Sequence, residues 1–229
     1  MLGIIGAMDV EINGIKGKIE NPQHSGFAGI DFVFGTIGGR EVCAAQCSPG
    51  KVNAALCAQL MIDKFSPEGI INLGVGCSLC KDVVIKNIVV ATEVCQYDFD
   101  TSAIDGYKGL LIDGKVSLPT DKPLSDALAK CAQKKGAAVH RGCIATGDTF
   151  IASVALKESI SDEFGALCGE MEGGAVGQVC YINRVPFAVL RTVSDGGDEN
   201  AQLDYPVFKK IAADISTAIL IDFLNNDEL

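Results

Sequence analysis

The feature that most constrains this chain is a repeated alternation. Short, nearly unbroken runs of Val, Ile, Ala and Cys are followed by segments whose apolar residues recur every three or four positions. An uninterrupted apolar run suits a strand covered on both faces, whereas a spacing of three or four draws one apolar stripe along a helix. The runs predict strands at residues 2–7, 30–37, 41–47, 69–73, 88–92, 139–145, 166–169 and 187–193. Helices are predicted between them. Residues 52–64 carry Val52, Ala55, Leu56, Leu60 and Met61 on one side, and 124–135 and 152–161 are shorter examples. The clearest stripe is Val207, Ile211, Ala212, Ile215, Ile219 and Phe223, which predicts a long C-terminal helix. Residues 31–47 read as a hairpin turning at Gly38-Gly39. Strands alternating with helices give an α/β fold with a largely parallel or mixed sheet. No internal repeat, low-complexity tract or Pro-rich linker divides the chain, so one domain over residues 1–229 is expected.

Composition narrows the function. With 48% hydrophobic and 21% charged residues, the 229-residue chain can bury a sizeable core, which excludes disorder as its main state. Lys and Arg total 19 against 29 Asp and Glu, a net charge of -10, and no basic run occurs. That argues against nucleic acid or an anionic membrane as partner. No apolar stretch reaches the roughly 18–20 residues of a membrane span, and residues 1–8 lack the basic flank and length of a signal peptide. A cytoplasmic protein is expected. Its ten cysteines lie mostly inside apolar runs and read as free, buried thiols. Cys77-Ser78-Leu79-Cys80 has no second pair or neighbouring His to complete a metal site, and His24 and His140 do not help it. No metal and no cofactor is expected.

In open α/β sheets the chemistry collects at the carboxyl ends of strands, and four places there carry polar residues. The first is Met8-Asp9-Val10-Glu11, where Glu11 is either functional or an exposed acid in a helix's first turn. The second is the glycine-rich stretch 72–78, read as a loop in which Gly74-Val75-Gly76 either cradles a ribose or phosphate or makes a tight turn. The third is Glu170-Met171-Glu172 followed by Gly173-Gly174. In an extended segment both glutamates would point one way, and the glycines suggest a closely packed helix after them. A carboxylate amid apolar residues is costly unless used or paired, which favours a role for one of the two. The fourth is Arg191-Thr192-Val193-Ser194-Asp195, where Asp195 is either functional or a turn or cap residue before Gly196-Gly197.

Taken in order, residues 3–11 (GIIGAMDVE), 50–55 (GKVNAA), 146–151 (TGDTFI), 169–173 (GEMEG) and 191–195 (RTVSD) resemble the 5′-methylthioadenosine/S-adenosylhomocysteine nucleosidases of the wider purine nucleoside phosphorylase-like superfamily. The resemblance spans nearly the whole chain. It implies a central mixed sheet flanked by helices, a homodimer, a place in methionine salvage, and hydrolysis of the bond between adenine and a 5-thioribose. It also implies roles. Asp195 would be the general acid at purine N7, Glu11 would position or deprotonate the attacking water, and Arg191 would orient that end of the site. Glu172 would grip the ribose hydroxyls with Glu170 beside it, and Met171 would lie under the sugar. Phe150 would stack on the adenine and the Ile151 backbone would read its edge. Ser194 would support Asp195, while Met8 and Tyr205 would line the 5′-alkylthio slot, Tyr205 replacing a more usual Phe. For Met8, Met171 and Phe150 the residues alone would favour core packing.

Two stretches depart from the family pattern. Val75-Gly76-Cys77 stands where Ser-Ala-Gly is usual, removing a hydroxyl, and Ser48-Pro49-Gly50 stands where Gly-Ile-Gly is common. The alternatives are a phosphorylase, a nucleosidase paralogue with another purine nucleoside, and a protein that only binds one.

Overall fold

The computed structural model describes residues 1–109 and 112–226. Its strands are β1 (Leu2–Gly6), β2 (Glu20–Phe27), β3 (Ile30–Ile37), β4 (Arg40–Gln46), β5 (Gly69–Ser78), β6 (Ile88–Gln96), β7 (Ser117–Pro119), β8 (Val139–Thr146), β9 (Ala166–Glu170) and β10 (Phe187–Asp195). The helices are α1 (Asp9–Lys16), α2 (Lys51–Phe65), α3 (Ser102–Asp105), α4 (Lys122–Lys134), α5 (Val154–Phe164), α6 (Gly173–Asn183) and α7 (Ala201–Asn225).

All strands belong to one mixed sheet ordered β10-β6-β8-β9-β5-β1-β4-β3-β2, with β7 added to β6. Because β10 also pairs with β5, strands β5, β10, β6, β8 and β9 close into a ring. The β1, β4, β5 and β10 group is parallel within itself, as are β6, β8 and β9, and the two groups meet antiparallel at β10–β6 and β5–β9. At the second junction Cys77 pairs with Gly169, so the carboxyl ends of both groups arrive at one place.

The central strands are buried along their length because helices cover both faces. Helices α1, α4 and α7 pack on one side around Ile12, Leu128 and Phe223; α2 and α6 pack on the other around Ala58, Met61 and Val176. Local chemistry sets the ends. Asp121 caps α4 by accepting the Leu124 N–H at 2.9 Å, with Pro123 in the first turn where its missing N–H costs nothing. The β3–β4 hairpin turns at Gly38 and Gly39, both at positive φ.

Three expectations need correction. The stretch 72–78 is not a loop; it continues β5, because Gly74 and Gly76 let neighbouring groups approach the strand more closely than a side chain would permit. The N-terminal end of the α7 stripe faces outward, with Val207 61% exposed, whereas Ala212, Ile219 and Phe223 are buried in the core and Ile215 packs partly buried against it. Strand β2 was not signalled, since its sequence ENPQHSGF is polar and mostly exposed and its pairing comes from β3 rather than from burial.

A methyl group at Gly76 would lie 2.6 Å from Cys168 Sγ and 2.8 Å from the Gly169 carbonyl, whereas one at Gly26 would meet nothing. Gly76→Ala should therefore lower stability by about 1–3 kcal/mol, while Gly26→Ala should stay within about 0.5 kcal/mol of the parent. Urea midpoints of the two variants check this, and equal midpoints would refute the close-approach argument.

Candidate active site

Where the two sets of carboxyl ends meet, a cavity opens, lined by Met8, Glu11, Pro49, Val75, Gly76, Phe150, Ile151, Glu170, Met171, Glu172, Ser194, Asp195 and Tyr205 among others. A concave, largely apolar site with a few convergent polar groups suits a small organic ligand. Every residue singled out from the sequence lines it except Arg191, which lies directly behind its wall.

Glu11 is not an exposed first-turn acid. It is 3% exposed and folds back over the start of α1, where Oε2 accepts the Ala7 and Met8 N–H groups at 2.8 and 2.9 Å. Its Oε1 reaches β5 and accepts the Val75 N–H at 2.9 Å. Burial raises its pKa, opposed by Arg191 and by these three backbone donors.

Glu170 and Glu172 converge, though not by strand alternation. Glu170 ends β9, while Glu172 already has turned backbone (φ -133°, ψ -40°) as the residue before α6. Glu170 is fully engaged from inside: it accepts from the Thr146 hydroxyl, from the Glu172 and Gly173 N–H groups at 3.0 and 2.7 Å, and from Arg191. Glu172 has far fewer donors, a Gly50 N–H at 2.9 Å on Oε1 and the Arg191 guanidinium 3.7 Å from Oε2. Burial and the charge of Glu170 push its pKa up to about 8 against the pull of Arg191 and Gly50.

Arg191, 1% exposed, is held by the Asn72 carbonyl at 3.2 Å, the Asn72 side-chain oxygen and Glu170. Burial opposes its charge, but Glu170, Glu172 and Glu11 together outweigh that and raise its pKa. Asp195 ends β10, 2% exposed, outside this cluster. Ser194 donates to its Oδ2 at 2.8 Å and the Gly197 N–H to its Oδ1 at 3.0 Å. Burial raises its pKa against those two donors, with Asp204 and Asp198 adding to the rise.

The mouth is apolar. Phe150 is 43% exposed and stands edge-on to Tyr205 at 5.4 Å between ring centres, so it is not a core residue. The Tyr205 hydroxyl donates to the Met8 thioether at 3.0 Å, and Val75 packs with Met8, Val10, Tyr205 and Ala212. Sequence reasoning missed Asn72 and Thr146. Each is a buried polar residue in an otherwise aliphatic strand, and that interruption was the available signal.

The Glu172 pKa generates a stability prediction. Between about 4.5, its ordinary value, and about 8 the folded chain holds a proton that the unfolded chain releases, so this group makes stability fall as pH rises through that window. Glu172→Gln removes the proton exchange. Its Tm should exceed the parent's above pH 8 and converge with it towards pH 5, as checked by thermal melts across that range.

Comparison with known proteins places this geometry. The phosphorylase superfamily matches residues 1–225. A 5′-methylthioadenosine/S-adenosylhomocysteine nucleosidase of Haemophilus influenzae is 33% identical over 225 residues, covering 98% of each chain. The enzyme of that name from Neisseria meningitidis, solved in complex with methylthio-immucillin-A, superposes with a TM-score of 0.94 at 31% identity over 98% of both chains. A futalosine hydrolase of Helicobacter pylori superposes equally well, at 0.94 and 33% identity, over 100% of this chain and 97% of its own. The fold is thus shared with these enzymes, and the chain belongs to the phosphorylase superfamily, among the 5′-methylthioadenosine/S-adenosylhomocysteine nucleosidases.

Proposed function

We propose that this protein hydrolyses the N-glycosidic bond of 5′-methylthioadenosine and S-adenosylhomocysteine, releasing adenine and the thioribose. The observation that carries this reading is the separation of its acids within one cavity. Glu11 and Glu172 flank a buried guanidinium, while Asp195 stands apart at the end of β10 with Ser194 and the Gly197 N–H as its donors, and burial raises the pKa of all three. Breaking a glycosidic C–N bond sends electrons to the purine and leaves positive charge on the sugar. An acid is needed at the base and carboxylates at the ring.

In the proposed reaction Asp195 delivers its proton to purine N7 as the bond to C1′ stretches. Glu11, fixed by three N–H donors, orients a water and takes its proton as the oxygen adds to C1′. Glu172 accepts from the ribose hydroxyls and stands beside the oxocarbenium ion. Glu170 and Arg191 act from behind, Arg191 holding the carboxylates in register. Phe150 stacks on the adenine, the Ile151 backbone meets its edge, Met171 lies under the sugar, and Met8, Val75 and Tyr205 form the 5′ slot.

The departure at Val75 leaves the hold on Glu11 intact, because the contact is made by a backbone N–H that any residue but proline provides. Water is favoured over phosphate as the nucleophile. The guanidinium is already committed to Glu170 and Asn72, and an incoming dianion would face Glu11 and Glu172. A second reading keeps the chemistry and changes the tail: the Tyr205 hydroxyl and Pro49 in the 5′ region suit another purine nucleoside, such as the one named for the H. pylori hydrolase. We further infer a cytoplasmic homodimer. Ten free thiols support the reducing compartment, and Val52 and Leu56 on α2 with Ile182 on α6 offer an exposed apolar face for a second copy.

Purine-base release from methylthioadenosine, S-adenosylhomocysteine and futalosine, with and without phosphate, tests the reading. Release should be independent of phosphate and fastest with the thio-nucleosides, and a ribose-1-phosphate product would sink hydrolysis. Asp195→Asn should cost about 10²–10⁴ in kcat while retaining ligand affinity; a chain that only binds would show no rate to lose.

A further inference from the structure

Two of the sequence stretches that carry the family resemblance, GKVNAA at 50–55 and TGDTFI at 146–151, contain Lys51 and Asp148, to which the mechanism gives no role. The fold brings them together. Helix α2 begins after Gly50, which has φ +100° and no side chain to cap the first-turn N–H groups. The missing cap comes from another loop: Asp148 Oδ1 accepts the Lys51 N–H at 2.7 Å. Asp148 is itself fixed, its N–H donating at 2.9 Å to Asp98 Oδ2, and Asp98 Oδ1 accepts Lys51 Nζ at 2.6 Å. The loops after β6 and β8 are thereby tied to the start of α2. The N–H immediately before the capped one, that of Gly50, donates to Glu172. Gly50 also fits only as glycine, since a side chain there would be strained at that φ and its Cβ would sit 3.1 Å from Asp148 Oδ1.

We propose that Asp148 is a positioning residue for the sugar end of the site: by capping α2 from a separate loop it aims the Gly50 N–H at Glu172 and so holds that carboxylate for the ribose hydroxyls. This rests on the reading of Glu172 given above. Glu172 has no other backbone donor among the described hydrogen bonds, whereas Glu11 has three and Glu170 two. Loosening Gly50 therefore falls on Glu172 alone. A cap that merely stabilised α2 would lower the melting temperature without distinguishing one ligand from another.

The test uses the full chain in an Asp195→Asn background, where slow turnover allows affinity to be measured. The ligands are methylthioadenosine and its analogue lacking both ribose hydroxyls, read by calorimetry, with melting temperatures confirming that each variant is folded. Asp148→Ala should weaken methylthioadenosine about tenfold, the size of one lost hydrogen bond, and leave the analogue within about twofold. Asp148→Asn, which keeps an acceptor oxygen, should recover most of the loss. With Glu172→Ala also present, which removes the acceptor of the Gly50 N–H, Asp148→Ala should add nothing further. Asp98→Ala, which releases the other end of the clamp, should act in the same direction and covers the case of a poorly folded Asp148 variant. Equal weakening of both ligands, or an undiminished effect of Asp148→Ala beside Glu172→Ala, overturns the proposal. If neither ligand binds when Asp148 is intact, the nucleoside reading itself is what has failed.

Discussion

One buried guanidinium facing three buried carboxylates is the constraint around which the rest of the structure is arranged. Arg191 sits behind Glu11, Glu170 and Glu172 and interacts with all three. Charges taken out of water cost several kcal/mol each unless paired and hydrogen-bonded. The fold meets that cost with backbone N–H groups from the ends of β1, β5 and β9 and from the start of α2. Their distribution is uneven. Glu172, with the fewest donors, is the carboxylate whose pKa rises to about 8. Glu172 is thus the carboxyl that the fold compensates least, and it holds a proton the more readily for it.

The topology follows from the need to bring those donors to one point. A simple parallel sheet would leave the ends of β5 and β9 far apart; closing β5, β10, β6, β8 and β9 into a ring makes them cross. The crossing demands a thin backbone, and Gly76 supplies it beside Cys168 and Gly169. Helix α6 then approaches closely enough for the Gly174 N–H to donate to Thr146 at 2.6 Å, and the Thr146 hydroxyl in turn donates to Glu170. Packing and electrostatics are one problem here, because the groups that satisfy the carboxylates are also those that fix how strands and helices meet.

The sequence made some of this legible and hid the rest for identifiable reasons. Apolar runs located the central strands because burial on both faces leaves only aliphatic residues, as at Ile70, Ile71, Leu73 and Leu190. The long stripe on α7 misled in its first half, where Val207 and Ile211 keep the helical spacing yet face outward. Strand β2 and the three-residue β7 left no pattern, since partner strands rather than a core hold them. Within the site, ordered short motifs pointed to the cavity-lining residues. They could not assign partners: that Glu170 turns inward to Arg191 while Glu172 meets Gly50 depends on a turn between adjacent residues that spacing alone reads as a strand. Asp98 was invisible because its two partners lie about 50 residues away in opposite directions along the chain.

The two ends of the cavity obey different electrostatics. At the sugar end, carboxylates share a cation; at the base end, Asp195 has Ser194 and the Gly197 N–H, with Asp198 and Asp204 as neighbours. Burial raises the pKa of both Asp195 and Glu11; at Asp195 the neighbouring acids add to the rise, whereas at Glu11 the guanidinium and three N–H donors oppose it. An acid and a base can coexist in one cavity only if something separates their environments. Here the separation is the step from Arg191 to Asp195, four residues along β10. In the proposed reaction that placement sets which end of the nucleoside is protonated, through the strand's own geometry rather than through a loop.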